Sequence, residues 1–253
     1  MIRAVDIKKS FGDKEVLRGI SSEFYKGKTN LIIGRSGAGK TVLLKILVGL
    51  FRPDEGAVWY ENQCFFDLSK KETQQLRMKI GMLFQGGALF DSWNVEENIR
   101  FPLDMYTNLT LGEKKKRVAE VLEKVELSGV EPKYPSELSG GMQKRVGIAR
   151  AIVLNPQYLF CDEPNSGLDP KTAIVIDKLI QDITRHYNIT TVINTHDMNS
   201  VMEIGDNILL LKDGLVAWQG NKEQIITSND DTILEFIFAS PFLKRLRKKA
   251  LGL

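Results

Sequence analysis

One stretch of the chain admits few folds: Thr29-Asn30-Leu31-Ile32-Ile33, followed by Gly34-Arg35-Ser36-Gly37-Ala38-Gly39-Lys40-Thr41 and an apolar-striped run to Leu50. The first run is apolar and bounded by Gly27 and Gly34, which predicts a buried strand. From Lys40 to Leu50, the residues Val42, Leu43, Ile46, Leu47 and Leu50 recur at helical spacing and predict a helix with one apolar side. The segment between fits G-x-x-x-x-G-K-[ST]. A strand that hands a glycine-rich loop to a helix N-terminus makes a cradle for phosphate. Unpaired N–H groups and the positive end of the helix dipole meet there, and the glycines let the backbone wrap closely around an anion. Lys40 is placed to reach β- and γ-phosphates, and the Thr41 hydroxyl to meet Mg²⁺. Alone, this pattern says that a nucleoside triphosphate binds.

A second apolar run, Gln157-Tyr158-Leu159-Phe160-Cys161, predicts a buried strand that delivers two adjacent carboxylates, Asp162 and Glu163. Successive side chains on a strand face opposite ways, so the two acids can divide the work. Asp162 suits holding Mg²⁺, directly or through water. Glu163 is then free to orient or deprotonate a water attacking the γ-phosphate. Leu138-Ser139-Gly140-Gly141-Met142 precedes them, with Ser139 predicted to cap a helix from Gly140 to Leu154 that stops before Asn155-Pro156. The apolar strand Thr191-Val192-Ile193-Asn194-Thr195 brings His196 to a strand's carboxyl end, where α/β ligands gather.

In this order, the motifs resemble those of the nucleotide-binding subunits of ABC transporters, over Arg3 to about Gly220. Gly34 to Thr41 stands as Walker A, Phe84-Gln85-Gly86 as the Q-loop, and Leu138 to Met142 as the signature. Asp162-Glu163 ends Walker B, Ser166-Gly167-Leu168-Asp169 is the D-loop, and His196 is the switch histidine. The resemblance implies an α/β fold: a P-loop NTPase (RecA-like) core with an antiparallel β subdomain and a helical ABC signature subdomain. It also implies a homodimer packed head to tail around two ATP. Each ATP would lie between one subunit's Gly34, Arg35, Ser36, Gly37, Ala38, Gly39, Lys40 and Thr41 and the other's Ser139, Gly140 and Gly141. Glu163, His196 and Gln85 take the catalytic roles, and Thr41, Gln85 and Asp162 the Mg²⁺. Phe11 stands where the family stacks an aromatic on adenine, usually tyrosine; a ring face suffices. Asn165 departs from the Thr or Ser usual before the D-loop.

Composition adds limits. The 253 residues suit one large domain with a smaller lobe. A net charge of +3 gives no argument for nucleic acid. Cys64 and Cys161 lack metal spacing and read as free thiols of a reducing cytosol. The N-terminus has no signal-peptide pattern, and no apolar run approaches a membrane span. The expected place is the cytoplasmic face of the inner (plasma) membrane, peripheral, beside an integral membrane permease.

Along the chain, residues 1 to about 28 predict an antiparallel β edge with a hairpin at Gly12-Asp13-Lys14. Residues 29 to about 85 predict the first half of the core, about 86–150 the helical lobe, and 151 to about 224 the return. There Asp169-Pro170 predicts a helix start reaching about Tyr187, and Lys212-Asp213-Gly214 a last hairpin. The expected division is a nucleotide-binding domain over 1–224 and a C-terminal extension over 225–253. The segment Gly86 to Ile99 predicts exposed apolar side chains suited to a permease's coupling helix. Its Gly87-Ala88-Leu89-Phe90, with Asn94-Val95 and Asn98, resembles the ATPases of Mla-type phospholipid transport, which work with a permease and an MCE-domain lipid-binding protein. The alternatives are an importer for another solute and a soluble non-transport ABC protein; the latter usually carries two cassettes or a long coiled coil, absent from this sequence. From Thr232 on, an apolar stretch, then Pro241, which interrupts any helix there, leads to the basic run Lys244 to Lys249. Such a tail suits either an anionic lipid surface or a reach across to the paired ATPase.

Overall fold

The computed structural model describes residues 1–238 and 241–250. It comprises two compact units, Met1–Asp67 with Asn194–Leu253, and Leu68–Ile193. The first unit opens with β1 (Ile2–Phe11) and β2 (Lys14–Phe24), an antiparallel hairpin closing at Phe11 opposite Lys14. Next come β3 (Thr29–Ile33), buried at every position, and α1 (Lys40–Leu47). Burying Leu31, Ile32 and Ile33 stabilises the unit by roughly 1.5–3 kcal/mol per side chain. α1 stops three residues short of the predicted end, which leaves Leu50 54% exposed rather than on the apolar stripe.

β4 (Glu55–Tyr60) and β5 (Gln63–Cys64) join the antiparallel sheet in the order β2-β1-β4-β5. This corrects the expectation that 29–85 belongs wholly to the core. The pairing aligns inward side chains, Ile2 opposite Tyr60 and Ala4 opposite Val58, all buried. The Tyr60 hydroxyl donates to the Leu47 carbonyl at 2.7 Å, satisfying the end of α1.

The second unit contains α2 (Lys70–Arg77), β6 (Ile80–Leu83), α3 (Val95–Tyr106), α4 (Leu111–Lys124), α5 (Gly140–Ile152), β7 (Tyr158–Asp162), α6 (Pro170–His186) and all of β8 (Thr190–Asn194) but Asn194, which belongs to the first unit. Its strands lie in the order β8-β7-β6, and β6 runs parallel to β7 with Leu83 opposite Cys161. β7 and β8 are buried at every position, whereas β6 alternates between buried and half-buried. α3, α4 and α5 bury Val95, Ile99 and Leu103, then Val121 and Leu122, then Val146 and Ile148. Val95 and Ile99 are thus core residues and not among the exposed apolar side chains expected of Gly86 to Ile99. Its large exposed apolar member is Phe90, in an aromatic cluster with Trp93 (4.5 Å between ring centroids) and Phe101 (5.3 Å). Asn98 is fully buried and staples the preceding loop. It accepts from the Phe90 N–H at 2.8 Å and donates to the Phe90, Trp93 and Asn94 carbonyls.

The chain returns to the first unit with α7 (Met198–Ile204), β9 (Asn207–Lys212), β10 (Leu215–Gly220), α8 (Lys222–Thr227), α9 (Asp231–Ile237) and α10 (Pro241–Ala250). β9 lies parallel to β3, and β10 antiparallel to β9. Their turn has φ of 51° at Asp213 and 75° at Gly214, the two left-handed residues of a tight hairpin. α9 ends before Pro241 and α10 starts at it; residues 239–240 and 251–253 of the predicted tail lie outside the described residues. Arg247 donates to the Ile226 carbonyl at 3.0 Å and the Ser228 carbonyl at 2.5 Å, so the basic helix packs onto its own unit. Among the described residues, no helix is long and apolar enough to cross a membrane.

Candidate functional site

In the first unit, β3 ends at Ile33 and the chain wraps through Gly34 to Gly39 into α1. Two glycines make the wrap possible. Gly34 has φ of 149°, and a Cβ there would lie 2.4 Å from the Leu211 carbonyl oxygen. Gly39, the N-cap, has φ of 99°, and a Cβ would meet Leu17 at 2.6 Å. Lys40 is buried and curls its ammonium back over the loop, onto the Gly34 carbonyl at 2.9 Å and the Arg35 carbonyl at 3.3 Å. Arg35, Ser36 and Gly37 are exposed at the tip. The Thr41 hydroxyl accepts from Asn194 Nδ2 at 3.0 Å. That bond ties the loop to the segment carrying His196, which is exposed at the turn before α7. Phe11 is 46% exposed, its ring in an edge arrangement with Phe51 at 5.6 Å and under the Lys9 ammonium at 5.5 Å. A cavity of about 820 Å³ adjoins the tip, lined by Arg35 to Ala38 and by Thr232, Glu235 and Phe236 of α9. Lys40, Thr41 and Phe11 do not line it.

In the second unit, β7 presents Asp162, buried, and the chain bends at Glu163, whose φ of 50° is left-handed. A non-glycine residue held there carries local strain. The Glu163 carbonyl accepts from the Ser166 N–H at 3.1 Å. Gln85 is exposed after β6, and its amide donates to the Ser166 hydroxyl at 3.4 Å. Asn165, the departure from the family pattern, donates to Asp177 Oδ1 at 2.8 Å; Asp177 is buried on α6, so the substitution anchors the D-loop to that helix. Ser139 caps α5 by accepting from the Met142 N–H at 3.3 Å, and Ser139 and Gly140 are exposed. The predicted residues therefore fall into two groups: Phe11, Gly34 to Thr41 and His196 in the first unit, and Gln85, Ser139 to Gly141, Asp162 and Glu163 in the second.

The helix ends divide the same way. Among the described helices α1 to α9, seven have an acidic N-cap or an acid in the first turn. α1 and α5 have neither. A carboxylate at a helix start neutralises the positive end of the dipole. The chain leaves that field open at the two ends the motifs assign to phosphate.

Sequence reading runs the signature on through Gln143-Lys144-Arg145 but gives the cations of α5 no role. Lys144 is buried, and its ammonium donates to the Gln85 carbonyl and reaches the Glu163 carbonyl at 3.5 Å. Burial pulls its pKa down, against the opposing influence of Cys161, Asp162 and Glu163. Arg150 donates to the Gly87 and Ala88 carbonyls at 2.7 and 2.8 Å. The available signal is spacing: Lys144 is in register with Gly147, Ile148 and Ala151, all buried, on the inward side of α5.

Comparison with known proteins agrees with this geometry. Residues 17–166 match the family model described as "ABC transporter". A "Probable ribonucleotide transport ATP-binding protein" of Mycobacterium leprae (strain TN) is 39% identical over 92% of this chain and 68% of its own length. A "Methionine import ATP-binding protein" of Carboxydothermus hydrogenoformans is 47% identical over 79% of this chain and 59% of its length. The "Intermembrane phospholipid transport system ATP-binding protein" of Haemophilus influenzae (strain Rd) is 37% identical over 89% and 86%. The chain thus spans less than two thirds of the methionine relative. Among solved structures, an ATP-binding cassette dimer in a post-hydrolysis state with ADP and Pi is similar, with a TM-score of 0.80, 33% identity and coverage of 88% of this chain and 99% of that one. The chain belongs to the ABC transporter family, as an ATP-binding subunit with the RecA-like P-loop fold of its ATP-hydrolysing enzymes.

Proposed function

We propose that the nucleotide-binding domain spans 1–224, with 225–253 as an extension, and that two copies close around two ATP to drive a membrane permease from the cytoplasmic face. The observation that carries this reading is the pair of acid-free helix starts. α1 offers one phosphate cradle, and the exposed Ser139-Gly140 start of α5 offers a second that a partner's ATP would complete. Lys40 would leave its loop carbonyls for the β- and γ-phosphates. Phe11 would stack on adenine. Thr41, Gln85 and Asp162 are oxygen donors, the set Mg²⁺ prefers; the ion would offset charge on the phosphates. Glu163 would orient or deprotonate the attacking water, and His196 would hold the γ-phosphate side.

For cargo we propose phospholipid, with an MCE-domain protein as a further partner. The phospholipid relative is matched over 86% of its length, against 68% and 59% for the ribonucleotide and methionine relatives. The Gly87 to Asn98 segment supports the same choice. Two experiments test the proposal. Glu163→Gln should keep ATP binding and lower turnover by roughly 10²-fold or more, trapping an ATP-bound dimer; near-normal turnover moves the base elsewhere. Mild-detergent purification from the native membrane should recover a permease, an MCE-domain protein and phospholipid. A permease with another solute receptor keeps the engine and discards the lipid.

A further inference from the structure

α5 carries three cations that reach main-chain oxygens of left-handed, non-glycine residues. Lys144 approaches Glu163 (φ 50°), Arg145 approaches Glu126 (φ 56°) at 3.4 Å, and Arg150 binds Ala88 (φ 48°). Each such residue costs backbone energy and persists only where its surroundings hold it. The helix that begins with the signature therefore also fixes three bends of its own unit.

The Lys144 bend is the one that adjoins the chemistry, and it closes a ring. Lys144 Nζ donates to the Gln85 carbonyl. The Gln85 amide donates to the Ser166 hydroxyl at 3.4 Å. The Ser166 N–H donates to the Glu163 carbonyl at 3.1 Å. Lys144 Nζ returns to that same carbonyl at 3.5 Å. An ammonium has three donors and a carbonyl two lone pairs, so one side chain can hold both loops at once. The ring joins α5, the loop after β6, the end of β7 and the D-loop. Lys144 itself is buried, where a cation is held by carbonyl dipoles and has little alternative solvation.

We infer that Lys144 is a positioning residue, which fixes the Glu163 backbone relative to Gln85 and so makes the angle of the catalytic carboxylate depend on where the Q-loop sits. The inference rests on the role proposed above for Glu163. Displacing a reacting group by a fraction of an ångström is enough to slow the chemical step strongly while leaving substrate binding intact.

The test uses the full chain and MgATP, with kcat and KM measured separately. Lys144→Met keeps the length of the stem and removes the donors. It should lower kcat by roughly tenfold with KM changed less than about twofold, and Lys144→Arg should restore most of the loss. In a Glu163→Gln background, Lys144→Met should cause no further loss, because the group it positions is gone. If Lys144→Met does not fold, Ser166→Ala opens the same ring elsewhere and must give the same kcat-selective loss. An unaltered kcat in a folded Lys144→Met or in Ser166→Ala overturns the inference, as does an equal further loss in the Glu163→Gln background. Wild-type turnover by Glu163→Gln itself instead removes the base assignment, so the two failures are distinguishable.

Discussion

The N-termini of α1 and α5 answer one physical demand in opposite ways. Both present helix-end N–H groups and an undiminished dipole to an anion. α1 is reached through a buried, left-handed glycine and a loop that folds over itself, with the Lys40 ammonium already inside. α5 starts from an exposed serine in ordinary extended geometry, and its near cation, Lys144, is engaged on loop carbonyls. The first is a pre-organised pocket within one unit. The second is a flat, open end, suited to meeting an anion that something else carries. Under the proposed function, the difference assigns affinity for ATP to α1 and assembly to α5.

The largest effects should come from attacking the α1 side. Lys40→Ala should weaken ATP binding by roughly 10²-fold or more, since it removes a charge-assisted contact to the phosphates. Gly39→Ala should come close to it, because the residue needs φ of 99° and its Cβ would strike Leu17 at 2.6 Å. Equilibrium binding of a fluorescent ATP analogue reads both. Affinity within about threefold of wild type for Lys40→Ala would place the phosphates elsewhere.

Gly140→Asp tests the other side. A Cβ at Gly140 lies 3.5 Å from Leu168, an ordinary contact, and the φ is ordinary, so the backbone accepts a side chain there. The added carboxylate would oppose a γ-phosphate and cancel part of the helix field. ATP binding by the single chain should stay unchanged, while ATP-dependent dimerisation and turnover fall by about tenfold or more. Light scattering with and without ATP separates the two. Loss of binding together with dimerisation would erase the division of labour argued above.

A smaller effect belongs to Phe11. Removing one stacking face costs about 1–3 kcal/mol, so Phe11→Ala should raise the KM for ATP by roughly tenfold and Phe11→Tyr should leave it unchanged. An equal, small change in both would leave Phe11 as a hydrophobic anchor against Phe51.

How much of this was legible in the sequence follows from the range of the forces involved. The phosphate loop, the Ser139 and Asp169 caps and the Asp213-Gly214 turn are written in neighbouring residues, and the structure places them there. The partner of β4 is not local: Glu55 to Tyr60 follows the core's first helix, yet pairs with β1 some fifty residues earlier. Val95 and Ile99 looked exposed because their periodicity names an apolar face without naming what covers it. Lys144 and Arg150 were passed over because a charged helix position is usually solvated. Only the fold reveals carbonyls bent inward to receive them.

Asp169 provides the finest contrast, because α6 has the acidic cap that α1 and α5 lack. Its carboxylate accepts from the Thr172 hydroxyl at 2.5 Å and from the Lys171 and Thr172 N–H groups at 3.0 and 3.1 Å. Those bonds, the Thr172 hydroxyl first, hold its pKa below the ordinary carboxylate value. A depressed pKa means that the folded state favours the ionised form. The stability it contributes is therefore fully present above the unfolded carboxylate value of about 3.9 and is lost as pH falls through the lower folded value. Asp169→Ala should lower the melting temperature at neutral pH, and the gap to wild type should narrow below about pH 4. Asp169→Ser, which gives α6 the cap type of α5, should lose less at neutral pH, and its gap to wild type should narrow over the same pH range, because the titrating group is the wild-type carboxylate. A gap that stays constant down to pH 2 in both variants would mean that α6 gains nothing from the charge. The absence of acids at α1 and α5 would then lose its electrostatic meaning.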